Sequence, residues 1–300
     1  MKQELPALLS GTFPKRKADI NKYSAGTVAV VGGSIRFPHA PVIAAIGAKA
    51  AGAGLIHLVA PNVSAFAAGT HVPEATVARL SSTCSIPKAD VTAVGMGLGV
   101  SGKSEMIVSK LISGSQACFV LDADALNILA KWYGSGKMFR PVDNQVLVLT
   151  PHEGEAARLL GVSSEDVSRN REAAAVSVSG RFGAITVLKG PNTIVAVPVP
   201  GKSEGAVFYR CEAGNPYMAV GGMGDLLAGM IAARWAYLRK SCPGMDPRTC
   251  AAKAASSAVW LHASSADAVL ESGDDAPGVL SVARRAAISR IKLENSGTCR

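Results

Sequence analysis

Short apolar and β-branched runs alternate with longer segments of helical spacing along the whole chain. Thr27 to Val31 is such a run and ends at Gly32-Gly33-Ser34, which predicts a strand and a turn. Leu55 to Ala60, Asp90 to Val94, Cys118 to Leu121, Gln145 to Thr150, Ile185 to Lys189, Thr193 to Val197 and Val207 to Cys211 are the further predicted strands. Helical spacing covers Pro41 to Ala53, Lys103 to Ile112, the stretch through Leu126 and Leu129, Glu153 to Leu160, Glu165 to Arg181 and Asp225 to Leu238. The Ala-rich segments Pro247 to Glu271 and Leu280 to Ile291 are also predicted helices. Residues 1–25 are polar, broken by Pro6 and Pro14, and read as a leader loop.

Strands alternating with helices predict the α/β class, with a mostly parallel sheet flanked by helices on both faces. No shift of composition and no internal repeat marks a boundary, so residues 1–300 are expected to form one domain behind the leader. In such a sheet ligands sit beyond the carboxyl ends of the strands. Each polar motif of this chain falls at such an end.

Composition narrows this picture. Of 300 residues, 48% are hydrophobic and 18% charged, which supplies a sizeable core and excludes global disorder. Gly is frequent, at 31 residues, and suits close backbone approach. Aromatics make up 5%, too few for a base-stacking surface. The net charge of +9 is spread out, with one dense run at Lys15-Arg16-Lys17. It reads as a solvated basic face or a phosphate-bearing small ligand rather than nucleic acid. The six cysteines (Cys84, Cys118, Cys211, Cys242, Cys250, Cys299) show no CxxC and no zinc spacing, so free thiols in a reducing cytosol are expected. The chain opens on no signal peptide, and no apolar run reaches the ~18 residues of a membrane span. A cytoplasmic protein with no membrane partner is the expectation.

Gly221-Gly222-Met223-Gly224-Asp225 stands directly before the helix beginning Leu226-Leu227. Glycines admit an anion to the backbone, and the first helix amides lack internal acceptors. Gly222, Met223 and Gly224 are therefore a candidate anion hole. Asp225 is either an N-cap or an acid placed to take a proton from an attacking hydroxyl. No Walker A sequence occurs.

Gly97-Leu98-Gly99-Val100-Ser101-Gly102 fits the dinucleotide fingerprint GxGxxG, and Asp122 lies where a ribose-binding acid is expected. Two features oppose a hydride-transfer enzyme: the motif is not on the first strand, and no catalytic set for hydride transfer accompanies it. Asp124 and Asn127 share a helix face, and either orient a substrate or a water around Mg²⁺ or cap the helix. His152, in Thr150-Pro151-His152-Glu153-Gly154-Glu155, lies just before a helix at the ligand edge. A lone His is more often structural. Lys189-Gly190-Pro191-Asn192-Thr193 joins two strands and is either a nucleotide-packing segment or a plain hairpin with a solvated Lys.

GGS at Gly32 to Ser34, DADALN at Asp122 to Asn127, TPHEGEAARLLG at Thr150 to Gly161, LKGPNT at Leu188 to Thr193 and GNPYMAVGGMGDLLAG at Gly214 to Gly229 occur in that order. Together they resemble the ADP/ATP-dependent NAD(P)H-hydrate dehydratases, a family of ribokinase-like fold, over residues 20–290. The resemblance implies a metabolite-repair lyase acting on hydrated NADH or NADPH. The ring hydroxyl is phosphorylated from ADP or ATP with Mg²⁺, phosphate leaves, and NAD(P)H returns. It implies Asp225 as catalytic and substrate-contacting acid, and Gly224 in both the anion hole and a nucleotide contact. It further implies Ala40, Gly97, Gly99 and His152 as hydrate contacts, and Lys189, Gly190, Pro191, Asn192 and Thr193 as the nucleotide segment. Asp124 and Asn127 remain supporting candidates, and no metal ligand is assigned. It also implies a homo-oligomer, commonly a tetramer, and a functional link to a separate epimerase. With about 25 residues before the first strand, no N-terminal epimerase domain is expected.

The family loop usually reads GNPGMATGGTGD; here Tyr217, Val220 and Met223 depart from it. The competing readings are a ribokinase-like kinase of a small alcohol or vitamin precursor, and a silent nucleotide-binding module.

Overall fold

The computed structural model describes residues 4–81, 86–114, 117–137, 144–273 and 275–296. Cys84 and Cys299 lie outside the described residues. The remaining cysteines, Cys118, Cys211, Cys242 and Cys250, form no disulfide with one another.

Nine strands form one sheet: β1 (Thr27–Val31), β2 (Leu55–Ala60), β3 (Thr76–Arg79), β4 (Val91–Val94), β5 (Cys118–Leu121), β6 (Val146–Leu149), β7 (Ile185–Leu188), β8 (Thr193–Pro198) and β9 (Gly205–Cys211). Their order is β3-β2-β1-β4-β5-β6-β7-β8-β9. Strands β3 through β7 in this order are parallel to one another, and β8 and β9 join antiparallel. Helices α1 (Ala40–Ala50), α8 (Met223–Ser241), α9 (Pro247–Ser272) and α10 (Val279–Asn295) cover one face. Helices α3 (Gly102–Ile112), α4 (Asp124–Gly134), α5 (Glu153–Leu160), α6 (Ser164–Arg169) and α7 (Arg171–Phe182) cover the other. Helix α2 (Asn62–His71) connects β2 to β3.

Strands covered on both faces carry continuous apolar runs. Every residue of β1, β4, β5, β6 and β7 is buried, as the sequence pattern predicts. Small residues bring α1 and α8 into backbone contact. A Cβ on Gly229 would lie 1.8 Å from the Ala44 carbonyl oxygen, so only glycine permits this approach.

Several expectations need correction. The helix predicted over Glu165–Arg181 is two helices, parted at Asn170, whose side chain takes the Ala173 amide and caps α7. Helix α2 and strand β3 were not foreseen. β3 is a four-residue edge strand, mostly exposed, and so lacks the apolar run of its neighbours. The predicted helix from Pro41 ends at Ala50, three residues early. The leader is anchored, since Leu9 and Phe13 are fully buried. Arg16, from the basic run, is not a solvated charge. It meets Glu294 at 3.3 Å and bonds the Gly52 carbonyl at 2.5 Å, beside Arg234 and Arg290 on the same carboxylate. Removing Glu294 would strand buried guanidinium charge, at a cost of about 3–5 kcal/mol.

Register sets the ligand edge. Val31, Val94, Leu121 and Leu149 pair across β1, β4, β5 and β6. The residues one step beyond, Gly32, Gly95, Asp122 and Thr150, therefore stand in one row.

Candidate active site

Helix α8 starts against this row. Its N-cap is Gly222, with φ of 92°, a left-handed conformation open to glycine. The Met223 amide reaches the Val220 carbonyl at 3.4 Å. Among the described residues, the amides of Gly222, Gly224 and Asp225 have no acceptor. They are the open donors of a helix start, where the dipole also favours negative charge. The side chains of Tyr217 and Val220, two of the three departures from the family loop, are exposed.

Asp225 is half-buried, and among the described residues its side chain makes no hydrogen bond or ion pair. Burial, then the negative charge of Asp122, pushes its carboxyl up to about 7; Lys189 opposes, and Glu155 and Asp124 add to the rise. A carboxyl near neutrality can take a proton and return it.

Lys189, one step beyond β7, donates to Asp122 Oδ1 at 2.6 Å and lies 3.8 Å from Glu155 Oε2. A Cβ on Gly224 would lie 3.2 Å from its Nζ, so the ammonium sits against the start of α8. Burial disfavours its charge, but Asp122 and Glu155 outweigh burial, and its pKa is raised. The solvated-hairpin reading of Lys189 is therefore overturned. Asp122 is 1% exposed and turned onto Lys189, not toward a ribose, which removes the acid of the GxGxxG reading.

The Gly97–Gly99 turn follows β4. A Cβ on Gly97 would meet Phe37 at 2.6 Å and Ala40 at 3.0 Å, so the candidate contacts Ala40 and Gly97 are neighbours. The Gly99 amide donates to Asp124 Oδ2 at 2.7 Å. Asn127 donates to Asp124 Oδ1 at 3.4 Å and accepts from Arg158 at 2.8 Å. Asp124 and Asn127 thus brace the turn against α4. The linking residue Ala123 has φ of 48°, a strained conformation for alanine.

His152 caps α5. Its Nδ1 accepts the Gly154 amide at 3.0 Å, and Glu155 reaches back to the His152 amide at 2.8 Å. The ring is half-exposed, and its other nitrogen, Nε2, lies 3.4 Å from Glu155 Oε1.

The segment from Gly190 to Thr193 is held from α7. Arg171 donates to the carbonyls of Leu188, Lys189 and Pro191, and its Nε meets Glu153 at 3.0 Å. A second brace comes from α9: Asp267 accepts from the Gly214 amide and from Asn215 Nδ2, both at 2.8 Å. Sequence reasoning missed Glu155, Arg171 and Asp267. For Glu155 a signal existed, the three-residue spacing of a capping box. Arg171 and Asp267 lie on distant helices and carry no local signal.

The sequence pattern of the family described as NAD(P)H-hydrate dehydratase matches residues 28–282. The chain belongs to this family. It is 35% identical over 271 residues to the ADP-dependent (S)-NAD(P)H-hydrate dehydratase of Neisseria meningitidis, covering 89% of this chain and 85% of that one. It is 34% identical over 274 residues to the bifunctional NAD(P)H-hydrate repair enzyme Nnr of Coxiella burnetii, covering 88% of this chain and 50% of that protein. The chain thus spans about half the length of that bifunctional relative. A ribokinase-like superfamily protein of Enterococcus faecalis shares the fold, with a TM-score of 0.76, 23% identity and 95% and 94% of the two chains covered. That shared fold and the α/β reading of the sequence agree.

Proposed function

We propose that this chain dehydrates hydrated NADH and NADPH, using a nucleotide phosphoryl group. The reading is supported by family membership and carried by one observation: Asp225, with its carboxyl raised to about 7, stands at a helix start whose amides are open. In this reading Asp225 takes the proton of the ring hydroxyl as the oxygen attacks the terminal phosphoryl group of ADP or ATP, whose phosphoanhydride bond breaks to release AMP or ADP. The amides of Gly222, Gly224 and Asp225 hold the phosphoryl oxygens as charge shifts among them. The ring C–O bond, not the new O–P bond, then breaks. The ring nitrogen's electron pair drives the departure, orthophosphate leaves with that oxygen, and loss of a proton from the adjacent ring carbon restores the reduced ring. Ala40, Gly97, Gly99 and His152 line the hydrate's place, and the segment from Lys189 to Thr193 lines the nucleotide's.

Mg²⁺ belongs to this proposal only as the ion the nucleotide brings. Among the described residues no three carboxylate, His or Cys side chains converge to hold a metal. Asp122 and Glu155 are turned onto Lys189 instead. Mg²⁺ is commonly held by phosphates and water with one or two carboxylates, so no protein cage is required. No step above runs through it.

Among the described residues no helix is long and apolar enough to cross a membrane. An epimerase acting on the same hydrate is the expected functional companion, in keeping with the bifunctional relatives. The products test the reaction. Orthophosphate should appear together with reduced nicotinamide, whereas a small-alcohol kinase would yield a stable phosphorylated alcohol.

A further inference from the structure

The resemblance groups Lys189 with the nucleotide segment, but its ammonium is engaged elsewhere. It lies 2.6 Å from Asp122, 3.8 Å from Glu155 and against Gly224, the residue before Asp225. Asp122 is 1% exposed and Glu155 5%, so neither partner is free to turn outward. We propose that Asp122 and Lys189 are positioning residues for Asp225: Asp122 pins the ammonium beneath Gly224, and the pair sets the charge that Asp225 faces. This rests on the reading of Asp225 as the base.

Four charged groups bear on Asp225, each from a different element: Asp122 after β5, Asp124 on α4, Glu155 on α5 and Lys189 after β7. One cation thus stands among three carboxylates besides Asp225. Lys189 stands 2.6 Å from Asp122 and 3.8 Å from Glu155, and charges this close in a half-buried site interact strongly. With Asp122 in place, the cation is compensated before its field reaches Asp225. Neutralising Asp122 removes a repelling charge and leaves Lys189 less compensated. Both changes favour ionised Asp225. Neutralising Lys189 does the opposite. A pair that merely filled space would not shift Asp225 in opposite directions. The tuning matters because a base that ionises too readily accepts a proton poorly.

The test is the pH dependence of kcat/KM, with acid-generated NADH hydrate and ADP, for the native chain, Asp122→Asn and Lys189→Gln. The acid limb should move to lower pH in Asp122→Asn, by about one unit, and to higher pH in Lys189→Gln. The KM for nucleotide should change by less than about threefold in Asp122→Asn, where no nucleotide contact is removed. Asp122→Asn is isosteric, and its folding is checked by thermal unfolding. If Lys189→Gln fails to fold, Asp122→Asn decides alone. An acid limb unmoved in Asp122→Asn, or moved the same way in both variants, overturns the inference. So does a Lys189→Gln enzyme with a raised nucleotide KM and an unmoved limb, because Lys189 would then act on the nucleotide alone and not on Asp225. A native rate in Asp225→Asn overturns the base assignment and this inference together. An essential Asp225 with an unmoved limb overturns this inference alone.

Discussion

Arg171 and Glu153 meet at 3.0 Å between α7 and α5, and the pair aims the guanidinium at the backbone that follows β7. Three carbonyls there, of Leu188, Lys189 and Pro191, accept from Arg171. Burial lowers the arginine's pKa, and Glu153 counters that. A lysine gathers its three donors on one nitrogen and lacks the guanidinium fork that spans these carbonyls.

Arg171→Lys should therefore loosen the segment from Gly190 to Thr193. Steady-state kinetics should show a nucleotide KM raised by about tenfold, with kcat and the hydrate KM little changed. A fall in kcat at unchanged nucleotide KM would remove Arg171 from nucleotide positioning.

Asp225→Asn should keep nucleotide binding and lower turnover by about 10²-fold or more, the scale of a lost base. In the native chain, kcat/KM should rise with pH through about 7, as Asp225 ionises. A second consequence is a gain in stability. The native carboxyl is raised from 3.8 to about 7, so its favourable contribution is complete below the unfolded value and is lost as pH rises through the folded one. Asp225→Asn removes that loss. Chemical denaturation near pH 8 should find the variant more stable by about 1–3 kcal/mol, with the difference vanishing toward pH 4. A variant less stable than the native chain at both pH values would contradict the buried-charge account.

His152 has two proposed duties, which two substitutions separate. His152→Asn retains a capping side chain, whereas His152→Ala loses it at a cost of about 1 kcal/mol. Both should weaken the hydrate more than the nucleotide in binding titrations. If hydrate and nucleotide weaken equally, and only in the alanine variant, His152 is a cap and nothing more.

Ala123 links Asp122 to Asp124 at φ of 48°. Such strain costs about 1–3 kcal/mol, and glycine relieves it while losing about 0.5–1 kcal/mol to backbone entropy. Ala123→Gly should raise the thermal midpoint slightly. A lowered midpoint would mean that the alanine methyl packs favourably enough to outweigh its strain.

What the sequence made legible follows its local signals. The core strands stood out because each is apolar throughout, as in Val146 to Leu149. Strand β3 did not, because its edge position leaves Thr76 and Val77 exposed. The break at Asn170 was hidden by polar and Ala-rich sequence on both sides, although its capping side chain marks it in the structure. At the site, Asp225 was readable from the glycines before its helix. Its electrostatic setting was not. Asp122 and Lys189 lie 67 residues apart and meet only because β5, β6 and β7 are neighbours in the sheet. Spacing along the chain places Asp122 where a ribose acid is expected and gives no view of the lysine two strands away.

The central claim is nucleotide-dependent recovery of reduced nicotinamide, and absorbance tests it most directly. Purified protein is mixed with acid-generated NADH hydrate and Mg²⁺, with ADP, ATP or no nucleotide. The account predicts a rise in the near-ultraviolet absorbance of NADH only when nucleotide is present, with the donor identified by which one supports it. No rise with either nucleotide, from protein that still binds nucleotide, would contradict the account and favour a small-alcohol kinase or a silent binding module.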